Sequence, residues 1–515
     1  MNGARALLST LVDADVDVCF ANPGTSEMHF VAALDDVPSM RGILCLFEGV
    51  VTGAADGYGR VAGRPAATLL HLGPGLGNGL ANLHNARRAH TPIVNIVGDH
   101  ATYHARYDAP LQSDIASIAG AVSGWYRSTA RSDDVGADAA DAVAAAMGPP
   151  GCVATLVLPA DASWSESSTG PCPPRPVGRR TVVPADTVEE VAKALRSGER
   201  TALLLGGRAL RADGLRAASR VAVTTGAALL GETFPANLER GAGIPAVERL
   251  AYFSEMAQAQ LDGVRQLVLV DTTYPVSFFA YPDKTSDLVP EGCTVHTLAR
   301  AGEDATGALE ALAEAVGAPT DGGLPAPAQR PDRPSGAVTT ETLAAAVGAV
   351  LPEGAIVVDE GNTSGLFVSG ATAGAPRHDW LTLTGGAIGI GLPLATGAAV
   401  AAPDRPVLCL QADGSAMYTP QALWTQAREG LNVTTVLLSN RSYAILNIEL
   451  HRVGADAGGP QARRLLDLTD PDLNFCDLAR GMGVPAQRVE QAEDLVAALE
   501  TGLSEPGPSL VEVVL

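Results

Sequence analysis

Pro406-Val407-Leu408-Cys409-Leu410-Gln411-Ala412-Asp413-Gly414-Ser415 and, further on, Val433-Thr434-Thr435-Val436-Leu437-Leu438-Ser439-Asn440-Arg441-Ser442-Tyr443 together decide the fold. Both apolar runs read as buried parallel strands, and Pro420 to Gly430 between them has the length and composition of a helix, which makes one strand–helix–strand unit. Strands joined by such a crossover end on the same edge of their sheet. Asp413 and Asn440 then bring a carboxylate and an amide oxygen to one place, a donor pair suited to a hard divalent cation such as Mg²⁺ holding a diphosphate. Gly414 lets the backbone approach a phosphate, and the Ser415 hydroxyl can donate to it. Asp-Gly in a strand-to-helix turn is also ordinary punctuation in α/β proteins, so the rest of the chain has to decide.

At 515 residues and 46% hydrophobic composition the chain can bury a large core and is too long for one domain. Two proline-rich stretches, Pro171 to Pro184 and Gly317 to Gly336 with its five prolines, read as linkers and leave domains at 1–170, 185–318 and 337–515. Strand-like and helix-like segments alternate throughout, the pattern of α/β folds with parallel sheets. In the central part strands are expected at Thr201–Leu205, Val221–Thr225, Leu267–Val270 and Thr294–Leu298, and no short internal repeat is visible. A net charge of −22 spread along the chain argues against nucleic acid, and no apolar run reaches membrane-spanning length. The N-terminus meets Asp13, Asp15 and Asp17 before any signal-peptide cleavage pattern, so a cytoplasmic enzyme is expected. Seven cysteines without a Cys-x-x-Cys pair read as small buried hydrophobes in a reducing compartment. The two lysines, Lys193 and Lys284, lie outside glycine-rich turns, which counts against a Walker loop and a Schiff base. Gly73-x-Gly75-x-x-Asn78 after the strand Ala67–Leu70 approaches a dinucleotide fingerprint but lacks its third small residue.

The Asp413 to Asn440 unit resembles the thiamine diphosphate motif, usually Gly-Asp-Gly followed about 25 to 30 residues later by Asn-Asn; Ala412 and Ser439 depart from it. The three-part order is similar to that of the thiamine diphosphate decarboxylase and synthase family, and above all to benzoylformate decarboxylase and the acetolactate-synthase-like proteins. The resemblance spans the chain. It implies three doubly wound parallel-sheet domains: pyrimidine-binding, central Rossmann-like and diphosphate-binding. It also implies a homodimer or homotetramer with each cofactor held between two subunits, Mg²⁺ bound by Asp413, Asn440 and the Ser442 carbonyl, and Gly414, Ser415, Ser442 and Tyr443 beside the diphosphate.

Further roles follow from that resemblance, residue by residue. Glu48, in Cys45-Leu46-Phe47-Glu48-Gly49 ahead of Ala54-Ala55-Asp56-Gly57-Tyr58-Gly59-Arg60, matches the glutamate that shares a proton with the aminopyrimidine ring. Ile388, in Gly385-Gly386-Ala387-Ile388-Gly389, falls where a large apolar side chain bends the cofactor, with Gly386 permitting close approach. Glu360-Gly361-Asn362-Thr363 corresponds to the first diphosphate loop, which assigns Asn362 and Thr363 to cofactor contact. The run His71-Leu72-Gly73-Pro74-Gly75-Leu76-Gly77-Asn78 matches the Gly-Pro-Gly-x-x-Asn turn, and His71 falls where benzoylformate decarboxylase keeps an active-site histidine. A lone histidine at a strand end is otherwise often structural. Thr25 or Ser26, in Asn22-Pro23-Gly24-Thr25-Ser26-Glu27, would bind a substrate carboxylate, and Gln112 matches a glutamine near the cofactor in acetolactate synthases.

Departures limit the choice of substrate. Pro275 to Tyr281, about where benzoylformate decarboxylase has a second histidine, contains none, and Ile445 and Glu449 would face a pocket that is apolar and aromatic in that enzyme. The lysine near the active site of acetolactate synthases is missing, and FAD is not expected. The activity implied is decarboxylation of a small 2-oxo acid through an enamine, which is either protonated to release an aldehyde or ligated to a second carbonyl. An acetolactate-synthase-type carboligase, a carbon–carbon lyase and a non-catalytic cofactor-binding paralogue are the alternatives.

Overall fold

The computed structural model describes residues 1–455 and 459–515. Three sheets form, one in each part that the linkers separate. The first contains Val18–Ala21, Arg41–Leu44, Ala66–His71, Ile93–Asp99, Trp125–Ser128 and Val153–Pro159. Numbered along the chain they lie side by side in the order 2-1-3-4-6-5, all parallel. The last contains Ile356–Glu360, His378–Thr382, Val407–Ala412, Val433–Ser439, Ala486–Val489 and Ser509–Val514, and these repeat the order 2-1-3-4-6-5. Burial on both faces explains the unbroken apolar runs of the central strands, such as the fully buried Val433–Ser439.

The central sheet holds Glu248–Arg249, Ala228–Gly231, Thr201–Leu205, Gln266–Val270 and Thr294–Ala299 in that spatial order, all parallel. Two of its features correct the expectation. Val221–Thr225 is not a strand: it ends the helix Ala212–Thr225, whose Leu215, Ala218 and Val221 recur at helical spacing on the buried face. Gly226, at φ 76°, caps that helix, and the strand comes three residues later, at Ala228–Gly231. In addition, Leu238–Arg240 leaves the central part to pair antiparallel with His378–Thr382 at the edge of the last sheet.

The first and last parts also meet directly. The helix that follows the second strand of each sheet, Glu48–Ala62 in one and Gly391–Ala401 in the other, packs against its counterpart. A Cβ at Gly57 or Gly397 would overlap the carbonyl of Leu394 or Ala54, so the two backbones touch. A buried ion pair locks this contact: Arg60 meets Asp56 at 2.5 Å, and its guanidinium also donates to the Thr382 carbonyl at 2.7 Å and the Thr384 hydroxyl at 2.9 Å. All seven cysteines are free. Among the described residues no helix is long and apolar enough to cross a membrane.

Candidate active site

In a doubly wound sheet the crevice for a ligand opens where strand order reverses, beyond the carboxyl ends of the two central strands. In the first sheet those strands are Val18–Ala21 and Ala66–His71. The chain leaving the first folds into a helical turn, Thr25–Glu27, and His71 is the N-cap of the helix Leu72–Arg88. The predicted glycine-rich turn at 73–78 thus forms the opening turns of a helix. Glu27, 1% exposed, accepts from the Gly24 N–H at 2.6 Å, from the Ser26 hydroxyl, and from His71 Nδ1 at 2.9 Å. Ser26 Oγ also lies 3.2 Å from His71 Nδ1. A carboxylate can only accept, so it fixes the proton on Nδ1 and leaves Nε2 free to exchange protons. Glu27 is the residue that sequence reasoning missed; the available signal was an acidic side chain at the end of a loop that returns to the strand edge.

Glu48 begins its helix at the same edge, and Asn78 Nδ2 donates to Glu48 Oε2 at 3.1 Å. A Cβ built on Gly75 would stand 3.3 Å from Glu48 Oε1 and 3.4 Å from the His71 Cβ, so both side chains converge on one helical turn. Thr25, Ser26 and His71 line one cavity of about 260 Å³. Gln112 is not in its wall. It follows the wall residue Leu111, with its Oε1 buried and without a hydrogen-bond partner.

The corresponding reversal in the last sheet lies between Ile356–Glu360 and Val407–Ala412. Asp413, 3% exposed, accepts from the Gly414 N–H at 2.8 Å and the Arg441 N–H at 2.6 Å. Burial pushes its carboxyl above the usual range, and these N–H donors pull it part of the way back. The Arg441 guanidinium turns to Asp472, 3.5 Å away, and among the described residues no basic side chain pairs with Asp413. Asn440 Oδ1 accepts from the Ser442 N–H at 3.0 Å, and its Nδ2 donates to Ser364 Oγ at 3.1 Å. The loop that leaves Ile356–Glu360 therefore reaches this corner through Ser364; Asn362 (left-handed, φ 47°) and Thr363 precede it in the same turn. The Tyr443 ring packs on Gly414, where a Cβ would stand 2.5 Å from Cε1. Gln411 Nε2 donates to Ser415 Oγ at 2.9 Å, and Ser415 donates to the Ala412 carbonyl at 3.1 Å.

A buried carboxylate without a cationic partner, beside an amide oxygen, is an all-oxygen donor set that fits Mg²⁺. Among the described residues no group of three His, Cys, Asp or Glu side chains offers a rival metal site.

The loop carrying Gly386 and Ile388 is held from both sides. His84 Nε2 donates to the Gly385 carbonyl at 3.0 Å, and Asn85 bonds both ways to Ala387, at 2.8 and 3.2 Å. From the last sheet, buried Glu360 accepts from the N–H groups of Gly389 and Gly391, each at 2.7 Å. Burial raises the Glu360 carboxyl, against the lowering effect of Gln411 and those N–H donors. Gly386 has φ 76°, open only to glycine at low strain, and the tip of the Phe278 ring covers it. Ile388 is partly buried. Glu449 meets Tyr281 OH at 3.1 Å and Arg452 at 3.7 Å instead of facing an open pocket.

The central sheet reverses between Thr201–Leu205 and Gln266–Val270, and two carboxylates fill its crevice. Asp271 accepts from the Arg208 N–H at 2.8 Å, and Glu232 accepts from the Gly207 N–H at 3.2 Å. Burial raises the Asp271 carboxyl, and the Arg208 N–H and the charges of Arg180 and Arg208 draw it back, so charge of both signs meets in this crevice.

Comparison with known proteins agrees with this geometry. Residues 1–119 match the model for "Thiamine pyrophosphate enzyme, N-terminal TPP binding domain" and residues 359–513 the model for its "C-terminal TPP binding domain". The chain is 62% identical over 516 residues to "Putative acetolactate synthase large subunit IlvX" of Mycobacterium tuberculosis, covering 100% of this chain and 99% of that protein. It is 31% identical to benzoylformate decarboxylase of Pseudomonas aeruginosa, over 96% of this chain and 95% of that one. A solved structure of thiamine diphosphate-dependent 4-hydroxybenzoylformate decarboxylase from Rhodococcus jostii RHA1 superimposes with a TM-score of 0.86 at 24% identity, covering 99% of this chain and 98% of that one, a likeness of fold.

Proposed function

Because this chain belongs to the thiamine pyrophosphate enzyme family, we propose that it is a Mg²⁺- and thiamine diphosphate-dependent decarboxylase or carboligase acting on a small 2-oxo acid. Asp413, Asn440 and the Ser442 carbonyl would hold the cation, Asn362, Thr363, Gly414, Ser415 and Tyr443 the diphosphate, and Ile388 and Gly386 would contact the rest of the cofactor. When bound, the cofactor supplies a carbon nucleophile and a sink for the electron pair left by CO₂. The protein's own groups handle protons and position. Glu48, steadied by Asn78, would hold a proton at its carboxyl for the aminopyrimidine ring of the bound cofactor. Thr25 and Ser26 hold the substrate carboxylate, Gln112 borders the site, and His71, with Nδ1 held by Glu27, gives or takes a proton through Nε2.

The observation that carries this reading is the convergence of Glu48, Asn78 and His71 on one helical turn of the domain that matches the family. A homodimer or homotetramer would bring the strand edge of one subunit's first domain to the last domain of another. A cytoplasmic location suits seven free cysteines. The test is CO₂ release by purified protein with Mg²⁺ and thiamine diphosphate across a panel of 2-oxo acids, with Glu48→Gln as control and products analysed with and without an added aldehyde. Release abolished by the variant supports the reading, and free aldehyde or acyloin separates decarboxylase from acetolactate-synthase-type ligase. Tight cofactor binding without release would instead favour a carbon–carbon lyase or a non-catalytic paralogue.

A further inference from the structure

Two departures noted in the sequence, the segment Pro275 to Tyr281 and Glu449, meet in one contact that the proposed chemistry leaves unused. The helix Ala444–Arg452 starts directly after the cation corner, with Tyr443 as its N-cap. Helices shorter than about 12–15 residues are marginal in water without packing. This one has 9 residues, none fully buried, and among the described residues none of them joins a hydrophobic core; Leu446 and Ile448 are exposed. Its hold comes from the central part instead. The Arg452 guanidinium lies over two rings, 4.6 Å from the centre of Phe253 and 4.7 Å from that of Tyr281, and donates to Glu255 Oε2 at 2.8 Å. A planar guanidinium can stack and hydrogen-bond at once. One helical turn back, Glu449 accepts from the hydroxyl of Tyr281, a residue only 7% exposed, at 3.1 Å. Lys284 completes the contact by pairing with Glu255. From the helix, Asn447 Nδ2 donates to Ser442 Oγ at 3.0 Å, and the Ser442 N–H donates to Asn440 Oδ1 at 3.0 Å. The Leu466 carbonyl also accepts from the Tyr443 N–H at 2.9 Å and the Ser442 hydroxyl at 3.2 Å, which ties the loop but not the helix.

We infer that Arg452 and Tyr281 are positioning residues for the cation site: by clasping the helix Ala444–Arg452 to the central part they set, through Asn447 and Ser442, where the Asn440 amide oxygen and the Ser442 carbonyl stand. Neither is among the proposed donors. Groups one step removed from a metal's donors fix the donors' orientation, and their loss weakens metal binding by about 10- to 100-fold. The inference rests on the reading of Asp413, Asn440 and the Ser442 carbonyl as those donors. It gives the central part, whose crevice takes no part in the proposed reaction, a role in that site.

Two readouts on the full chain test it: binding of Mn²⁺, a stand-in for Mg²⁺ at oxygen donors, followed by electron paramagnetic resonance with thiamine diphosphate present, and amide hydrogen exchange. Arg452→Ala is expected to weaken Mn²⁺ binding about tenfold or more. Arg452→Lys, which keeps the charge and loses the planar fork, should weaken it less, and Tyr281→Phe by a few-fold. Exchange of the Ala444–Arg452 amides should speed up in Arg452→Ala while the strand Val433–Ser439 keeps its protection. That split separates a local clasp from a general loss of stability. Unchanged Mn²⁺ affinity in Arg452→Ala overturns the inference, as does an affinity loss with helix exchange unchanged, or with exchange faster in helix and strand alike. If Arg452→Ala does not fold, Tyr281→Phe, which removes a single oxygen, decides by the same two readouts. Wild-type protein that binds no Mn²⁺ with the cofactor overturns the cation-site reading itself, and the inference with it.

Discussion

The first and last sheets share one strand order, 2-1-3-4-6-5, and the helices after their second strands pack on each other, yet their strand edges carry different chemistry. The third strand of one sheet ends on His71 and that of the other runs into Asp413; beyond the fourth, one has His100 and the other Asn440. The first edge is a finished network of titratable side chains, with Glu27 holding His71 and Asn78 holding Glu48. The last edge is short side chains and backbone N–H groups around Asp413, a buried carboxylate with no basic partner among the described residues. Topology decides where a crevice opens. Side chains decide whether it moves protons or grips a charged ligand.

The largest effects should separate these two jobs. Glu48→Gln is expected to lower kcat by a factor of about 10² to 10⁴, the usual reach of a positioned acid–base group, with little change in cofactor affinity by calorimetry. Loss of cofactor binding in that variant would break the division of labour. Asp413→Asn is expected to do the reverse, weakening Mg²⁺-dependent cofactor binding by about tenfold or more while kcat recovers at saturating cofactor and metal. A kcat that stays low at saturation would put Asp413 among the proton-handling groups.

A smaller effect tests the network inside the first edge. Glu27→Gln keeps the shape but supplies one accepting oxygen where the carboxylate supplies two, so His71 loses its fixed orientation. A fall in kcat of about tenfold is expected, and His71→Ala combined with Glu27→Gln should be no worse than His71→Ala alone. Additive losses would show that Glu27 acts independently of His71.

What the sequence disclosed follows from the same contrast. Asp413, Asn440 and Glu48 were legible because each stands in a short run whose spacing reports its place on a strand edge. Glu27 was not, since its role comes from a turn that folds back across the sheet to a residue 44 positions away. Ser364 escaped notice in favour of Asn362 and Thr363 because the left-handed Asn362 redirects the loop. Val221–Thr225 misled through its β-branched residues, where burial of Leu215, Ala218 and Val221 on one face outweighed local preference. The shared strand order was invisible for another reason: it is a repeat of topology, with no repeat of residues.

Between the two edges, Glu360 offers a stability test. Its two oxygens accept from Gly389, Ile390, Gly391 and Gln411. Glutamine has one accepting oxygen, so Glu360→Gln leaves a buried N–H facing an amide N–H. A loss of about 1–3 kcal/mol in denaturant unfolding is expected, with the Gly386 and Ile388 loop loosened. An unchanged stability would mean that His84 and Asn85 hold the loop without help.

The central sheet is the control, since its crevice holds carboxylates that move no proton in the proposed reaction. Burial, aided by the charge of Asp271, pushes the Glu232 carboxyl up to about 7, against the pull of the Gly207 N–H and the Thr272 hydroxyl. A carboxyl raised above its unfolded value binds its proton more tightly in the native state. Native protein therefore carries the extra proton between the unfolded and folded values, and stability falls as pH rises through that window, then levels off above about 7. The drop attributable to this group is expected to be about 1–2 kcal/mol, less than the full conversion of the shift, because the residue keeps some contact with solvent. Urea unfolding at pH 5 and pH 8 measures it, and Glu232→Gln should flatten the difference while leaving CO₂ release unchanged. If the variant keeps the full pH dependence, the slope belongs to the other two edges; if it loses activity, the third crevice is no bystander.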